Sequence, residues 1–478
     1  DAYRMLPHRT AEDGDESGST NKIQNFCIGL EPTETATYAV YGLGVQSGAA
    51  DAKIFYKKIA TDGGNPDLST DTWTAANDGE QDVGTTAQFD LFMFYKKTNK
   101  IYYARDKRHI CSYDTVNETM LETEEDLGAT FTNIGQGIVH SKDDIMYFPV
   151  DNVVWKNNND TFASALTLPT NVRIRTIEES GNFLAIGVEA ISGASPGVGA
   201  SYIYLWDRNA TLATVSDSVY WGEERLLFMG EVNGNLVGVS IGAGTSWFDR
   251  RIVFRYLSGS RAIKFEEFTT NADIGISQLN TSQQLINNRL FFNITFTVNG
   301  TVRSGVWSVG GFPNDWSIVN ERPLDNDTEF SLTTLNTFGF LIIGDYVFQA
   351  YDIGGSGHTI TKTADGTTYT AKSIYESIVN PEMLIKDRFR KKQLKSVRVS
   401  YEPLPVAGQV ILKYKVDGGS YITIFTETTD SALNTERVKD ATPDEFTLGT
   451  EYEFELESTG GAVITALEYD YDTLETLI

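Results

Sequence analysis

The sequence predicts an all-β protein: a seven-bladed β-propeller followed by a small antiparallel β-sandwich. Three observations support this prediction: an internal repeat, turn residues placed between apolar runs, and strict alternation of apolar and polar residues near the end. The 478-residue composition agrees, since 42 Gly, 23 Tyr and 26 Phe against 6 Met favour strands and turns over helices. Helical periodicity is found only weakly, around residues 381–392.

A strand–turn–strand pattern recurs through the first 380 residues. Its later strand carries an apolar anchor, and the anchors are Ile54, Ile110, Val153, Ile203, Val253, Val306 and Val347. Their mean spacing is about 49 residues, which matches a four-stranded propeller blade. One blade cannot bury both faces of its sheet, so the copies must pack around a channel. We therefore predict a propeller over residues 21–380, with another antiparallel β architecture as the alternative.

Turn residues separate the paired strands of the repeat. Gly181-Asn182, Asn233-Gly234 and Asn287-Asn288 each precede an apolar run, as do Asn99 and Asp143-Asp144. Gly, Asn and Asp tolerate the positive φ that a tight hairpin requires. These positions are predicted to be hairpin turns within the blades.

A basic segment interrupts an otherwise acidic chain. Residues 381–395 are interpreted as a basic linker, and residues 1–20 as a flexible lead-in. The linker's candidate interaction residues are Lys386, Arg388, Arg390, Lys391, Lys392 and Lys395. They would either dock an acidic partner or a phosphate, or pair with acidic neighbours in the adjoining domains. The second interpretation is preferred.

Residues 396–478 read as the β-sandwich. Tyr452, Phe454 and Leu456 alternate with glutamates at 451, 453, 455 and 457, which predicts one buried face and one solvated acidic face. The row of glutamates is interpreted as a surface that discourages edge-to-edge pairing, rather than as a metal site.

Charge and motif content exclude several function classes. The formal charge of −26 disfavours nucleic acid and anionic lipid as partners. No apolar run approaches the length of a membrane-spanning helix. Two cysteines cannot build a disulfide framework. No P-loop, HExxH or paired-cysteine motif occurs, and the histidines are scattered singly. We expect no cofactor, no metal, no catalytic residues and no enzymatic activity.

A glycan-active propeller is the rival hypothesis. Acidic residues are plentiful enough for paired-carboxylate hydrolysis, which would require convergent carboxylates with one raised pKa at the channel mouth. Trp73, Trp247 and Trp316 lie near turns and could stack on sugars, although packing between blades is the more frequent role of such residues.

The closing segment adds a resemblance to a known family. The stretch KQLKSVRVSYEPLPVAGQVILKYKVDGG from Lys392, and EFELESTGGAVITALEYDY from Glu453, resemble the C-terminal part of virion proteins of tailed bacteriophages. GVWSVG from Gly305, followed by FLIIGDYVFQAYD from Phe340, is also similar to that group. The resemblance covers roughly the last 180 residues and supplies no catalytic residues to transfer.

The resemblance implies a non-enzymatic structural component of the virion, associated with the tail or its tip. The expected partners are other virion proteins and further copies of this chain within the particle, with a host-surface glycan or receptor as a further candidate. A head fibre or capsid decoration protein is the alternative location.

Overall fold

The computed structural model describes most of the chain. The described residues are 9–11, 21–46, 52–62, 65–67, 73–81, 88–105, 107–191, 200–209, 214–242, 251–269, 282–298, 301–313, 315–323, 335–343, 346–353, 358–363, 373–379, 391–406, 408–417, 419–428, 436–440, 446–450, 452–459, 462 and 464–473. Strands, turns and loops account for all of them, and these ranges contain no helix. The predicted all-β fold is confirmed.

Seven four-stranded sheets follow one another along the chain, numbered here as sheets 1 to 7. Sheet 1 contains β2 (Asn21–Leu30), β3 (Tyr38–Gln46), β4 (Ala52–Lys58) and β7 (Thr74–Gln81). A small hairpin of β5 (Ala60–Asp62) and β6 (Asn65–Asp67) lies between the last two in sequence. Sheet 2 contains β8 (Gln88–Tyr95), β9 (Lys100–Arg105), β10 (His109–Asp114) and β11 (Thr119–Asp126). Sheet 3 contains β12 (Ile138–Val139), β13 (Met146–Val150), β14 (Val153–Asn157) and β15 (Phe162–Thr167).

The remaining propeller sheets have the same up-and-down order. Sheet 4 contains β16 (Val172–Ser180), β17 (Phe183–Ala190), β18 (Ser201–Trp206) and β19 (Asp217–Gly222). Sheet 5 contains β20 (Arg225–Val232), β21 (Asn235–Ile241), β22 (Arg251–Ser258) and β23 (Arg261–Thr269). Sheet 6 contains β24 (Gln283–Ile286), β25 (Arg289–Val298), β26 (Thr301–Phe312) and β27 (Asp315–Pro323). Sheet 7 contains β28 (Leu335–Ile343), β29 (Tyr346–Ile353), β30 (His358–Thr363) and, as its outer strand, β1 (Arg9–Ala11).

Apolar clusters join each sheet to the next and close the ring. Sheets 1 and 2 share a cluster that contains Tyr41 and Tyr103, and sheets 5 and 6 meet where Phe228 stacks on Phe292 at 5.3 Å between ring centroids. Sheet 1 also packs against sheet 7, since Trp73 meets Phe348 edge-on at 5.9 Å. Burial of both faces of each sheet requires such closure. The arrangement fits the predicted count of seven blades.

The repeat anchors identify a common strand in six of the seven sheets. Ile54, Ile110, Val153, Ile203, Val253 and Val306 all lie on the third strand of their sheet. Val347 differs, because β29 is the second strand of sheet 7. In sheet 7 the two strongly apolar strands are the first and the second, whereas in the other sheets they are the second and the third. The anchor predicted for the last repeat therefore lies one strand too early.

The predicted hairpin turns have the backbone that their residues allow. Asn287 and Asn288 have φ of 49° and 58°, and Asn233 and Gly234 have φ of 48° and 76°. Two successive positive φ values are typical of the type I′ turn that joins twisted antiparallel strands. The turns therefore lie where the sequence predicted them.

The chain divides into two compact units, which are described separately. The larger unit comprises Ala11–Trp316 and Leu324–Lys362, and the smaller one comprises Asp1–Thr10, Ser317–Pro323 and Thr363–Ile478. The smaller unit contains two sheets, in the orders β31-β36-β33-β34 and β35-β32-β37. Its strands are β31 (Ser373–Val379), β32 (Lys392–Tyr401), β33 (Gln409–Val416), β34 (Ile422–Glu427), β35 (Glu436–Asp440), β36 (Tyr452–Thr459) and β37 (Ile464–Thr473). Val397, Leu412 and Phe454 lie in one buried cluster, as a β-sandwich requires.

The sandwich begins earlier in the sequence than the predicted boundary. Strand β31 pairs with β36, although its residues fall inside the range assigned to the propeller. Strand β32 begins at Lys392, inside the range assigned to the basic linker. An alternating pattern of apolar and polar residues identifies a strand but does not say which sheet the strand joins. The sequence pattern of β31 therefore could not assign it to the sandwich.

The acidic row on β36 differs from its predicted role. Tyr452, Phe454 and Leu456 are buried as expected. Strand β36, however, lies between β31 and β33, so its glutamates cannot protect a free edge. Glu457 is buried, and Lys413 on β33 donates hydrogen bonds to both Glu455 and Glu457. The cross-strand lysine compensates the carboxylates, which the pattern of β36 alone does not reveal.

Cys27 and Cys111 are buried within the core that joins sheets 1 and 2, and the Cys111 thiol donates a hydrogen bond to the Glu122 carbonyl at 2.8 Å. In the part of the chain that the structure describes, no helix is both long and apolar enough to cross a membrane.

Candidate functional site

A small polar cavity lies among the first strands of the propeller sheets. Its volume is about 50 Å³, which accommodates a few water molecules. Sheets 3, 4 and 6, with the segment leading into sheet 3, supply its lining: Gln136, Gly137, Ile138, Arg175, Thr176, Ile177, Glu178 and Gln283. These strands face the ring channel, so we treat the cavity as the candidate site.

Gln283 connects four sheets at this cavity. Its backbone N–H donates to Oε1 of Gln136 at 3.1 Å, just before β12. Its side-chain Oε1 accepts the backbone N–H of Met229 on β20 at 3.0 Å, and its Nε2 donates to the Met229 carbonyl at 2.8 Å. The same Nε2 donates to Oε2 of Glu178 on β16 at 3.2 Å. The buried side-chain amide of Gln283 thus bonds to the Met229 backbone as a neighbouring strand would. Its hydrogen bonds hold the strands around the channel together.

Among the carboxyl groups that the structure describes, Glu178 has a pKa shifted strongly toward neutrality. Burial raises its pKa to about 7, assisted by the charges of Glu179 and Glu231, while hydrogen bonds from the Glu179 backbone N–H and from Gln283 act in the opposite direction. A carboxyl group with a pKa near neutrality can donate or accept a proton under physiological conditions. Glu178 is therefore the residue in this cavity best suited to acid–base chemistry.

A second titratable cluster lies between sheets 3 and 4, around His140. The imidazole is fully buried, with Nδ1 at 3.4 Å from Asp143 Oδ1 and Nε2 at 3.7 Å from Glu179 Oε1. Arg208 Nε lies 3.1 Å from the other oxygen of Asp143. Burial lowers the pKa of His140, opposed by the charge of Glu179, so the ring is neutral near pH 7.

Both titratable groups were absent from the candidates that the sequence identified. His140 appears as a lone histidine in the sequence, and Glu179, 39 residues away, reaches it only through the packing of neighbouring sheets. Glu178 follows Ile177 on β16 and is one acidic residue among many. The sequence signal that could have pointed to the His140 cluster is Asp143, which follows the histidine by three residues.

The predicted basic residues that the structure describes do not converge on one site. Lys386, Arg388 and Arg390 lie outside the described residues. Lys391 is exposed, whereas Lys392 is buried and its Nζ donates to the Thr450 carbonyl at 2.7 Å. Lys395 forms an exposed ion pair with Asp472 at 3.0 Å. Of these six, Lys391 and Lys395 are therefore the described residues that present a charge at the surface.

The tryptophans considered as sugar platforms take different positions. Trp73 is completely buried between sheets 1 and 7. Trp316 stacks on Phe265 with 4.9 Å between ring centroids and packs against Tyr256, so it joins sheets 5 and 6. Trp247 lies outside the described residues. Trp73 and Trp316 thus pack between blades.

Metal binding has no candidate among the described residues, where no group of three or more His, Cys, Asp or Glu side chains converges in a way that could hold an ion.

Comparison with known proteins finds similarity in structure but not in sequence. No family model matches the chain, and no curated protein matches it. Similar solved structures include an oligogalacturonate lyase from Vibrio parahaemolyticus, at 9% identity and a TM-score of 0.45 over 77% of this chain and 99% of that chain. An exo-β-1,3-galactanase from Phanerochaete chrysosporium has 10% identity and a TM-score of 0.33, over 97% of this chain and 99% of that chain. U3-55K has 10% identity and a TM-score of 0.41, over 74% of this chain and 99% of that chain.

Proposed function

We propose that this chain is a non-enzymatic structural protein of a tailed-phage virion, located in the tail or its tip. It offers a rigid surface to neighbouring virion proteins or to a host receptor. The resemblance of the segments that begin at Lys392 and Glu453 to phage virion proteins is the reason for choosing this class.

The observation that carries the proposal is the bracing of the channel. Gln283 ties sheets 3, 4, 5 and 6 together through hydrogen bonds, and Trp73 packs the first sheet against the seventh. Filled and cross-linked channels make the ring resist deformation, because each sheet is held on both sides. A rigid ring that carries loops at its ends suits a protein that positions other proteins on a particle.

The proposal is tested on gradient-purified phage particles. Mass spectrometry should detect the chain in intact particles, and gold-labelled antibody against it should mark the tail in electron micrographs. Label on the head would move the protein to a capsid fibre or decoration and overturn the tail assignment. Particles that lack the chain would overturn the structural role itself.

A glycan-active propeller remains the second candidate, because Glu178 combines a cavity position with a pKa raised to about 7. Glycoside cleavage uses a pair of carboxyl groups, one of which is an acid with a raised pKa, and Glu178 matches that acid. Assays of the purified chain on bacterial surface polysaccharides test this candidate. Glu178→Gln should abolish any activity, whereas Glu125→Gln, which removes another carboxyl group with a raised pKa on the outer strand β11, should leave it unchanged.

A further inference from the structure

Three arginines surround one carboxylate beside the channel cavity. Arg173 and Arg175 lie on β16, Arg225 begins β20, and Glu189 lies near the end of β17. Arg225 Nε lies 2.6 Å from Glu189 Oε2, Arg173 Nη1 lies 3.8 Å from Oε1, and Arg175 donates a hydrogen bond to Oε1. These four residues are called the arginine cluster below.

The arginine cluster carries uncompensated positive charge in a largely buried place. Its three guanidinium groups and one carboxylate sum to +2. The arginine side chains are 12–16% exposed and Glu189 is 3% exposed, so solvent reaches the cluster without surrounding it. Burial and the charge of Arg175 lower the pKa of Arg225, and Glu189 opposes that shift. In a chain of charge −26 this local excess is unusual.

Hydrogen-bond donors remain open in the arginine cluster. Among the described residues, the buried Nε atoms of Arg173 and of Arg175 have no hydrogen-bond acceptor. Arg225 differs from these two, because its Nε is paired with Glu189 Oε2 at 2.6 Å. Buried guanidinium donors without acceptors are costly, and an oxyanion is the group that guanidinium forks fit best.

Nearby acidic residues do not supply the missing charge directly. Glu224 lies within 2.7 Å of both Arg251 and Arg255, so it is already paired. Asp151 accepts the hydroxyl of Thr132 at 2.6 Å, and Thr132 in turn accepts Arg173 Nη2 at 3.3 Å. Arg175 Nη1 donates to the neutral side chain of Asn133 at 2.8 Å.

We propose that the arginine cluster binds the oxyanion of a small polar ligand, a carboxylate or a phosphate group. Arg175 also lines the channel cavity, where the polar side chain of Gln136 lies close enough to contact the rest of such a ligand. Glu189 holds the three guanidinium groups together when the ligand is absent. This inference concerns the arginine side of the channel cavity and holds whether or not the chain is a virion protein.

Isothermal titration calorimetry of the full chain tests the proposal, at low ionic strength and neutral pH. The probes are sodium acetate, inorganic phosphate and neutral acetamide, which are small enough for the cavity. Binding of acetate alone would identify a carboxylate ligand, binding of phosphate alone would identify a phosphate ligand, and binding of both would identify a general oxyanion site; each result supports the site. Binding of neither anion, or equal binding of acetamide, would overturn it.

Matched variants distinguish a binding site from a structural ion-pair network. Arg225→Gln should weaken anion binding about tenfold or more, as expected for loss of a charged hydrogen-bond donor. Arg251→Gln removes an arginine that pairs with Glu224, outside the cluster, and should leave binding unchanged. An equal loss in both variants would contradict the proposal.

The charge-removing variant gives a result that a structural role does not predict. Glu189→Gln removes the competing carboxylate and should tighten anion binding severalfold, while a purely structural network would only lose stability. Circular dichroism confirms folding of each variant. If Arg225→Gln fails to fold, Arg225→Lys keeps the charge but loses the fork, and it should still weaken binding. Unchanged or weaker binding in folded Glu189→Gln would overturn the proposal.

Discussion

The backbone N–H of Gln283 donates a 3.1 Å hydrogen bond to the side chain of Gln136, 147 residues earlier in the sequence. The two residues belong to the first strand of sheet 6 and to the segment entering sheet 3, so the bond crosses the channel of the propeller. The side chain of Gln283 adds bonds to Met229 and Glu178. One residue therefore restrains the relative positions of four sheets.

Loss of the Gln283 amide should loosen the channel. Gln283→Ala removes the partner of both Met229 backbone groups and leaves them unsatisfied, at a cost of about 2–3 kcal/mol in the free energy of unfolding. Urea denaturation measures the change. Gln393→Ala on β32, in the sandwich unit, serves as the control for the propeller transition. An unchanged propeller midpoint in Gln283→Ala would show that the channel bonds contribute no stability.

The Glu178 carboxyl group should make stability depend on pH near neutrality. Its pKa rises from 4.5 in the unfolded chain to about 7 in the folded protein, so its favourable contribution is complete below pH 4.5 and is lost as pH rises through 7. The shift corresponds to about 3 kcal/mol. Glu178→Gln should therefore be more stable than the parent at about pH 8 and similar to it at about pH 4. Thermal unfolding measured across this pH range tests the prediction. Parallel plots of stability against pH for Glu178→Gln and the parent would refute the raised pKa of Glu178.

His140 should produce the opposite pH dependence. Its folded-state pKa lies below the unfolded value of 6.5, so the folded protein binds fewer protons and loses stability as pH falls below 6.5. His140→Gln removes this titration and should flatten the acid side of the stability curve. His109→Gln, at the partly exposed histidine near Asp126, is the matched control. If the stability of His140→Gln and of the parent falls in parallel as the pH drops below 6.5, the prediction is contradicted.

Closure of the ring depends on Trp73. The side chain is completely buried against Phe26 and Phe348, so Trp73→Ala creates a cavity at the junction of the first and seventh sheets. Removal of a buried Trp costs about 3–5 kcal/mol. Leu121→Ala, at a position on β11 that is 50% exposed, should change stability by less than about 0.5 kcal/mol. Calorimetry of the propeller transition distinguishes the two variants, and equal transition temperatures would argue against this closure.

Local sequence patterns predicted those strands and turns whose structure is set by residues close together in the sequence. Asn287 and Asn288 specify a turn because few other residues adopt two successive positive φ values at low cost. Ile203 and Val253 mark the third strand of their sheets because these positions are buried on repeating elements. The sheet to which a strand belongs, and its position in that sheet, were harder to predict from the sequence. The anchor Val347 and the strand β31 were both assigned wrongly.

Side-chain clusters assembled from different sheets could not be read from the sequence. Glu189 meets Arg225 from another strand, and His140 meets Glu179 from the next sheet. Glu457 resembles a surface residue in its own strand, but Lys413 from the neighbouring strand neutralises it in a buried position. Charge pairing across strands is set by register and packing, which a single alternating segment does not encode.

The measurement that tests the proposed function most directly is a cryo-electron microscopy reconstruction of the purified phage tail. We predict density for a ring of seven four-stranded sheets, and for a separate two-sheet sandwich, within the tail or at its tip. A complete tail reconstruction with every density assigned to other chains would contradict the structural role proposed for this protein.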